Sequence, residues 1–312
     1  MESFNSKVLL FGEYSVLHNS MALVMPCDRF SGQLKFCEEG TQSKYAYRSN
    51  EYLKKFSGFI ASHVDENFVL EVKQFEWEIE NGLFFQSNIP QGYGLGSSAA
   101  LVVAIFLRYL KKAKGIKDEL KGLTIEKAQK LKTSLGKMES FFHGTSSGLD
   151  PLSVILNEPI LYKSPNEILP VRLPRVDESG KNVIFLLNTG IARTTSDQME
   201  KFYHLHKDLN FKHKISKELV KYTNESINSF LNKSPGSLYN DLGKLIQFQL
   251  EEMSTFIPQP FQKKVKHGLD NGDYFLKLCG AGGGGFMLGF TDNWINTRRA
   301  LSGCDLEIIY RY

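Results

Sequence analysis

Two short apolar runs near the beginning of the chain predict β-strands. Residues 7–11 read Lys-Val-Leu-Leu-Phe and stop at Gly12, while residues 21–25 form a second run that Pro26 closes. Runs of this length, bounded by glycine and proline, are typical of buried strands. We therefore expect the chain to open with two short strands.

Alternation of apolar and acidic residues predicts a hairpin further on. Between residues 75 and 80, aromatic and aliphatic side chains alternate with glutamates, the period of two expected of a half-buried strand. Asn81-Gly82 then favours a type I′ turn, with the return strand at residues 83–85.

Helices are predicted in the middle of the chain. Residues 99–110 are apolar almost all round, which predicts a buried helix. Thr124 is a suitable N-cap for a second helix that extends to about residue 142. Two largely polar helices are expected to fill residues 195–256.

Strands return towards the end of the chain. Residues 183–187, 274–279 and 286–290 each predict a strand, and the polar, proline-containing residues 170–181 mark a boundary. The mixture predicts an α+β protein in two halves, with domains at residues 1–175 and 176–312.

Composition narrows the class of protein. The chain has 312 residues and a net charge of +4, and its basic cluster at residues 263–267 lacks interleaved aromatic residues, so we expect a solvated face and no nucleic-acid partner. The four cysteines show no C-x-x-C pairing, which favours neither a zinc site nor a disulfide framework and suits a reducing cytoplasm. The longest apolar run, residues 99–107, is too short to cross a bilayer, and the run at residues 7–11 is too short for a signal peptide. A cytoplasmic protein with no membrane partner is therefore predicted.

A glycine-serine run at residues 90–100 leads directly into the apolar helix. Glycines let the backbone turn so that N–H groups converge, and the helix N-terminus that follows attracts phosphate. The spacing matches neither a P-loop nor a dinucleotide fingerprint, so a polyphosphate cradle of another design is predicted. A tightly packed structural turn is the alternative.

A second glycine-rich loop, at residues 280–285, lies between two predicted strands. Five glycines in six residues cost considerable chain entropy, whereas a plain hairpin needs one or two. Close approach of this backbone to a ligand is the interpretation that we favour.

An acidic pair is the other candidate for chemistry. Glu139 and His143 lie four residues apart on one helix and share a face, and Asp150 follows after a loop of small residues. One acid suits a magnesium ligand and the other a base, although both also fit a solvated surface. Lys7 is either a solvent-facing residue of its strand or a fixed cation beside an acid. His204, His206 and His213 do not share a metal-binding face, so we expect them at the surface.

Three segments together resemble the motifs of the GHMP kinases. Residues 7–18 are similar to the family's first motif, residues 90–100 to its phosphate-binding motif, and residues 277–285 to its third. The resemblance implies a two-domain fold, with an N-terminal half like ribosomal protein S5 domain 2 and a ferredoxin-like α/β C-terminal half. It also implies ATP and Mg²⁺ as cofactors.

Within that superfamily the chain resembles most closely the mevalonate kinases. Their helix carries a glutamate followed by H-G-x-x-S-G-x-D, a spacing that residues 139–150 reproduce. The resemblance implies that Asp150 is the catalytic base, that Lys7 supports it, and that Ser98 and Glu139 hold Mg²⁺. The implied ATP-binding residues are Gly92, Gly94, Leu95, Gly96, Ser97, Ser98 and Ala99. The implied substrate-binding residues are Glu13, Tyr14, Arg193, Thr195, Ala281 and Gly282.

Two departures leave the acceptor open. Tyr14 stands where many mevalonate kinases have a histidine, and Thr145-Ser146 replaces the usual Asn-Pro. The implied reaction is transfer of the γ-phosphoryl group of ATP to the primary hydroxyl of mevalonate, giving mevalonate 5-phosphate. A kinase for phosphomevalonate or a sugar, and a catalytically silent nucleotide-binding regulator, are the alternatives. A homodimer is left open as the assembly.

Overall fold

Two long strands open the chain in the computed structural model, which describes residues 1–38, 43–63, 67–111, 124–164, 167–232 and 235–312. Strand β1 (Ser3–Phe11) lies next to β2 (Ala22–Phe36) in the first sheet. The expectation that Pro26 closes the second strand is wrong, because β2 continues through it for ten more residues. Proline fixes φ and lacks the amide hydrogen, so a strand can pass through it where the ladder does not need that donor.

The described residues form two compact units, and neither is continuous in sequence. The first unit comprises Met1–Lys7, Pro26–Pro90 and Gly96–Glu158; the second comprises Val8–Met25, Gln91–Leu95 and Pro159–Tyr312. Strands β1 and β2 and the glycine-serine run each contribute residues to both. The continuous domains 1–175 and 176–312 stay a prediction.

Helices dominate the first unit. They are α1 (Lys44–Ser62), α2 (Val72–Glu80), α3 (Ser97–Tyr109), α4 (Ile125–His143) and α5 (Leu149–Leu156). Strand β3 (Leu83–Ser87) pairs antiparallel with the second half of β2, so that Leu34 lies opposite Phe85. Helix α3 packs against α4 and α5, and its long apolar side chains are buried as its composition predicts. The Thr124 side chain accepts a hydrogen bond from the Lys127 amide, which confirms the predicted N-cap of α4.

The predicted strand over residues 75–80 is wrong, since these residues form most of α2. Phe75, Glu78 and Ile79 are buried while Trp77 is 62% exposed, a spacing of three and four residues that suits a helix face. Asn81 follows the helix as its C-cap, and Gly82 has a φ of +84° before β3, so no hairpin forms there. Six residues are too few to distinguish the period of two of a strand from the 3.6-residue period of a helix, and tertiary packing favours the helix.

The second unit contains a four-stranded antiparallel sheet. Its strands β6 (Val183–Asn188), β7 (Phe275–Leu278), β8 (Phe286–Thr291) and β9 (Asp305–Arg311) are arranged in the order β7-β8-β6-β9. The register places Phe185 opposite Gly289 in β8 and Ile308 in β9. Strands β4 (Ile160–Ser164) and β5 (Glu167–Pro170) pair with each other, and the first half of β2 pairs with β4. The combination of sheets and helices confirms the α+β prediction.

More helices surround this sheet than the two that were expected over residues 195–256. The described helices of the second unit are α6 (Thr195–Leu205), α7 (Leu209–Lys214), α8 (Val220–Leu231), α9 (Pro235–Glu252), α10 (Gln259–Asn271) and α11 (Trp294–Ala300). The Asp208 side chain caps α7 and a π-helical turn at Ile215–Leu219 separates it from α8. The Asp208 cap depends on a local hydrogen bond from the Phe211 amide, which the polar composition of the segment did not reveal.

None of the helices in the described ranges combines the length and the apolar character required to cross a bilayer. None of the four cysteines, all of which lie in the described ranges, forms a disulfide, and Cys27 and Cys279 are buried.

Candidate active site

Gly96 connects the glycine-serine run to helix α3. Its φ is +77°, a conformation that favours glycine, and a Cβ built on it would lie 2.9 Å from Cγ of Lys7. The residue is therefore fixed by both its backbone conformation and the closeness of the Lys7 side chain. Ser97, Ser98 and Ala99 form the first turn of α3, where helix N–H groups have no partner in the preceding turn.

Lys7 and Asp150 form an ion pair in the first unit. The Lys7 Nζ lies 2.7 Å from Oδ2 of Asp150, and the exposed fractions of the two side chains are 4% and 37%. Asp150 lies in the first turn of α5. Lys7 is thus a buried cation rather than a solvent-facing residue, while the acid that it contacts remains open to small molecules.

Glu139 occupies a buried position on α4 and accepts two hydrogen bonds from hydroxyl groups. Ser98 Oγ donates to Oε1 at 3.0 Å and Ser146 Oγ donates to Oε2 at 2.5 Å. Its exposed fraction is 3%. Ser98 lies in the first turn of α3 and Ser146 lies in the loop after α4, so the carboxylate joins these two elements. We call Lys7, Ser98, Glu139, Ser146 and Asp150 the acidic cluster.

Burial raises the pKa of Glu139 well above its usual range, and the negative charge of Asp150 adds to this rise. Hydrogen bonds from Ser146 and Ser98, and the charge of Lys7, act in the opposite direction. A divalent cation would relieve both unfavourable effects, and hydroxyl and carboxylate oxygens are the ligands that Mg²⁺ prefers. The donor pair of Ser98 and Glu139 therefore fits that ion. The side chain of His143, which was predicted to share the face of Glu139, lies outside the described part of the structure.

Gly92 and Gly94 lie against the segment that carries Arg193 in the second unit. A Cβ on Gly92 would lie 2.5 Å from the carbonyl oxygen of Arg193, and one on Gly94 would lie 3.2 Å from Nη2 of Arg193. Their φ values are +77° and +81°. Leu95 is buried, so it contributes packing to this run.

Arg193 and Thr195 contact each other directly. The guanidinium Nη1 donates to Thr195 Oγ1 at 2.6 Å, and burial lowers the pKa of Arg193. The Nε atom of Arg193 is buried and has no hydrogen-bond partner among the described residues. Arg193 lies in the segment after β6 and Thr195 begins α6, and their contact follows from a separation of only two positions.

The Tyr14 side chain contacts the glycine-rich loop at residues 280–285 and helix α6, both in the second unit. Its hydroxyl donates to the carbonyl oxygen of Ala281 at 2.6 Å, and its ring stacks on Phe202 with 4.5 Å between centroids. Burial is the main cause that raises the pKa of Tyr14 far above its usual value, and Arg193 opposes the rise. Tyr14 also has a φ of +59°, which is uncommon for a residue with a side chain.

Glu13 forms a buried ion pair with Lys277, a residue that the sequence did not single out. The Lys277 Nζ lies 2.5 Å from Oε1 of Glu13, with side chains 0% and 3% exposed. Lys277 also donates to the carbonyl oxygen of Leu278. The sequence feature that could have identified Lys277 is its position as the single charged residue in the apolar strand β7.

The glycine-rich loop at residues 280–285 approaches protein atoms closely. A Cβ on Gly283 would lie 2.4 Å from Cδ of Gln198, one on Gly284 would lie 2.4 Å from the carbonyl oxygen of Ile191, and one on Gly282 would lie 2.7 Å from that of Phe256. These neighbours, together with positive φ values at all three positions, account for the glycines without a ligand. Approach to a ligand, which the glycine content suggested, stays a prediction.

The expectation that His206 is a surface residue is wrong. Its Nε2 lies 2.7 Å from Nε2 of His18, and both side chains are half-buried. His204 and His213 are exposed as expected. The contact with His18 joins positions far apart in sequence, which helical spacing cannot predict.

Residues 51–157 match a known family, described as GHMP kinases N terminal domain. A mevalonate kinase of Pyrococcus abyssi is 24% identical over 326 residues, which cover 92% of this chain and 87% of the relative. A D-glycero-alpha-D-manno-heptose 7-phosphate kinase of Campylobacter jejuni is 24% identical over 292 residues, covering 89% of this chain and 81% of the relative.

Among solved structures, the L. major mevalonate kinase in complex with R-mevalonate superposes with a TM-score of 0.63 at 16% identity, covering 99% of this chain and 95% of that one. A likeness at this identity concerns the fold. The predicted resemblance is confirmed to this extent: residues 51–157 match the GHMP kinase N-terminal domain, and the chain has the α+β fold of these kinases.

Proposed function

We propose that this protein is an ATP-dependent kinase that phosphorylates the primary hydroxyl of mevalonate, giving mevalonate 5-phosphate. The observation that carries the proposal is the pair of Lys7 and Asp150, in which a buried ammonium group holds a partly exposed carboxylate at 2.7 Å. Such a carboxylate is oriented and still accessible, as a general base must be. The mevalonate kinase relative, which covers 92% of this chain, supports the choice of substrate.

Asp150 accepts the proton of the substrate hydroxyl in this proposal. Lys7 fixes the carboxylate through Oδ2, and the 37% exposure of the Asp150 side chain lets the acceptor approach it. Phosphoryl transfer asks mainly for positioning and charge neutralisation, so a fixed cation beside the base also stabilises charge that develops on the transferred group.

Ser98 and Glu139 are the proposed magnesium ligands. When bound, Mg²⁺ neutralises charge on the β- and γ-phosphate oxygens of ATP. The first turn of α3, with Ser97, Ser98 and Ala99, presents N–H groups that suit phosphate, and Gly92, Gly94, Leu95 and Gly96 form the loop before it. The Ser146 hydroxyl keeps the Glu139 carboxylate in place through its own hydrogen bond.

The proposed acceptor residues lie in the second unit. Arg193 carries a buried Nε without a described partner, and a carboxylate such as that of mevalonate is the natural acceptor for a guanidinium group. Thr195 orients this guanidinium through the contact at Nη1. Glu13, Tyr14, Ala281 and Gly282 complete the set that the resemblance implies. A cytoplasmic enzyme, with a homodimer as one possible assembly, is the expected form.

A sugar-phosphate kinase is the second candidate. The heptose 7-phosphate kinase relative is as identical to this chain as the mevalonate kinase, at 24%. Arg193 would pair with a phosphate as readily as with a carboxylate. A silent regulator is a weaker alternative, because Glu139 and Asp150 are both retained.

A coupled ADP-release assay with Mg·ATP tests the proposal. The acceptors are mevalonate, phosphomevalonate, galactose, homoserine and a heptose 7-phosphate, each at the same concentration. Turnover with mevalonate alone is expected. Turnover with another acceptor would overturn the choice of substrate, and ATP binding without turnover on any acceptor would favour the regulator.

A further inference from the structure

A cavity of about 180 Å³ lies within the first unit, and none of the candidate site residues lines it. The end of α1, the segment before α2, and α3 and α4 contribute its walls. The lining is mainly aromatic and aliphatic and includes Phe59, Ile60, Leu70, Phe106 and Met138. Its volume exceeds the ~150 Å³ of an engineered apolar cavity that binds benzene.

Backbone hydrogen bonds hold the walls of this cavity in position. The Glu71 amide donates to the carbonyl oxygen of Tyr109 at 2.7 Å, and the Lys111 amide donates to that of Val69 at 2.8 Å. The rings of Phe68 and Phe106, both in the lining, meet edge to face at 5.3 Å. The segment before α2 is therefore fixed to the end of α3, and the space behind it is preformed.

One buried polar atom in the lining has no partner. Ser134 is 3% exposed, and its Oγ makes no hydrogen bond within the described residues. A buried hydroxyl without a partner is costly, whereas a ligand atom placed beside it would satisfy it. Lys137 lies one helical turn further along α4 and also lines the cavity, so a positively charged residue lies on the same face as Ser134.

We propose that this cavity is a binding site for a small aliphatic carboxylate, with a hydrocarbon body of about six carbons. The apolar lining takes the hydrocarbon body, the Ser134 hydroxyl donates to the carboxylate, and Lys137 attracts its charge. Water is a poor occupant, since a buried water needs two to four polar partners and the apolar walls supply few. The proposal does not depend on the function proposed above.

Calorimetric titration of the full chain with hexanoate, 1-hexanol and hexylammonium tests the proposal. Hexanoate is expected to bind about tenfold more tightly than 1-hexanol, because its charged group strengthens the hydrogen bond from Ser134. Hexylammonium, which carries the same charge as Lys137, is expected to bind most weakly.

Variants locate the binding. Ser134→Ala keeps the cavity and is expected to weaken hexanoate binding about tenfold, while Lys137→Gln should narrow the difference between hexanoate and 1-hexanol. Ser134→Leu fills the space and is expected to abolish binding of both ligands. Circular dichroism and thermal unfolding check that each variant folds. Ser134→Ala removes a hydroxyl that has no partner among the described residues, and it adds no volume. The alanine variant therefore remains informative if Ser134→Leu does not fold.

Lack of hexanoate binding at millimolar concentration would overturn the proposal. Equal affinity of hexanoate for the wild type and Ser134→Ala would also overturn it, since the ligand would then lie elsewhere.

Discussion

Asp150 and Lys7 carry the chemistry that we propose at the scale of single residues. The sequence left Lys7 either exposed or paired with an acid, and the distance of 2.7 Å to Asp150 decides for the pair. Gly96 makes this arrangement possible, because any side chain there would meet the Lys7 methylene chain. The hydroxyls of Ser98 and Ser146 donate hydrogen bonds to the buried Glu139 carboxylate. These bonds fix its position.

Replacement of Asp150 by asparagine is expected to lower kcat by about 10²- to 10⁴-fold, the usual contribution of a general base. Some stability should also be lost, because the neutral amide no longer pairs with the buried Lys7 ammonium group. Steady-state kinetics on the preferred acceptor provide the measurement. Glu158→Gln, an exposed acid just after the same helix, is the matched control and should leave kcat unchanged. Near-normal turnover by a folded asparagine variant would remove Asp150 from the mechanism.

Replacement of Gly96 by alanine is expected to reduce both stability and kcat. The left-handed conformation alone costs about 1–2 kcal/mol for a residue with a Cβ, and the contact with Lys7 adds to it. Gly272→Ala is the control, since Gly272 has a φ of +70° but nothing within 4 Å of a built Cβ. Thermal unfolding should show a larger loss for Gly96→Ala than for Gly272→Ala. An equal loss in both variants would mean that Lys7 moves aside without cost.

At the scale of elements, the second unit joins the turn after β1 to helix α6. The 3₁₀ turn Ser15–His18 ends at His18, which contacts His206 at the C-cap of α6. Phe202, one turn earlier on α6, stacks on Tyr14 just before the 3₁₀ turn. The His18–His206 and Tyr14–Phe202 contacts therefore both join the 3₁₀ turn region to α6. The contact between the two histidines depends on their protonation.

Acid is expected to weaken this connection. Burial is the main cause that lowers the pKa of His18, and the charges of His206 and Lys212 lower it further. The unfolded state, with an ordinary histidine pKa of about 6.5, then binds more protons than the folded state just below that pH. Stability therefore falls as pH falls through about 6.5 towards the lower folded value.

His18→Gln should reduce the loss of melting temperature between pH 7.5 and pH 5.5, measured by circular dichroism. His204→Gln, an exposed histidine on α6, is the control and should behave like the wild type. If His18→Gln lost as much stability on acidification as the wild type, His18 would not be the group that titrates.

At the scale of the whole molecule, residues of the first motif (7–18) contact residues of the third motif (277–285), and these contacts lie within the second unit. Glu13, from the first motif, pairs with Lys277, which begins the third, and Tyr14 bonds to Ala281. The first motif is therefore held by residues near the end of the chain. Neither contact can be predicted from the spacing of residues along the sequence, because the partners are far apart in the chain.

Glu13→Gln is expected to destabilise the protein by about 3–5 kcal/mol, since it leaves the Lys277 ammonium group buried without its partner. The double variant Glu13→Leu with Lys277→Met removes both charges and should recover most of this loss. Urea unfolding of the wild type, the single variant and the double variant gives the comparison. A double variant less stable than Glu13→Gln would show that the charged pair itself stabilises the fold.

The sequence by itself determined the α+β class, the buried helix α3, the N-cap of α4 and the three segments that resemble motifs of the GHMP kinases. These follow from apolar periodicity, capping chemistry and glycine spacing, all of which are local. Tertiary structure decided that residues 75–80 are helical, that β2 passes through Pro26, and that Lys7 is buried against Asp150. It also decided the partners of Glu13 and His206. Packing and long-range pairing set these features, because a six-residue pattern fits two periods and a polar residue does not specify its distant partner.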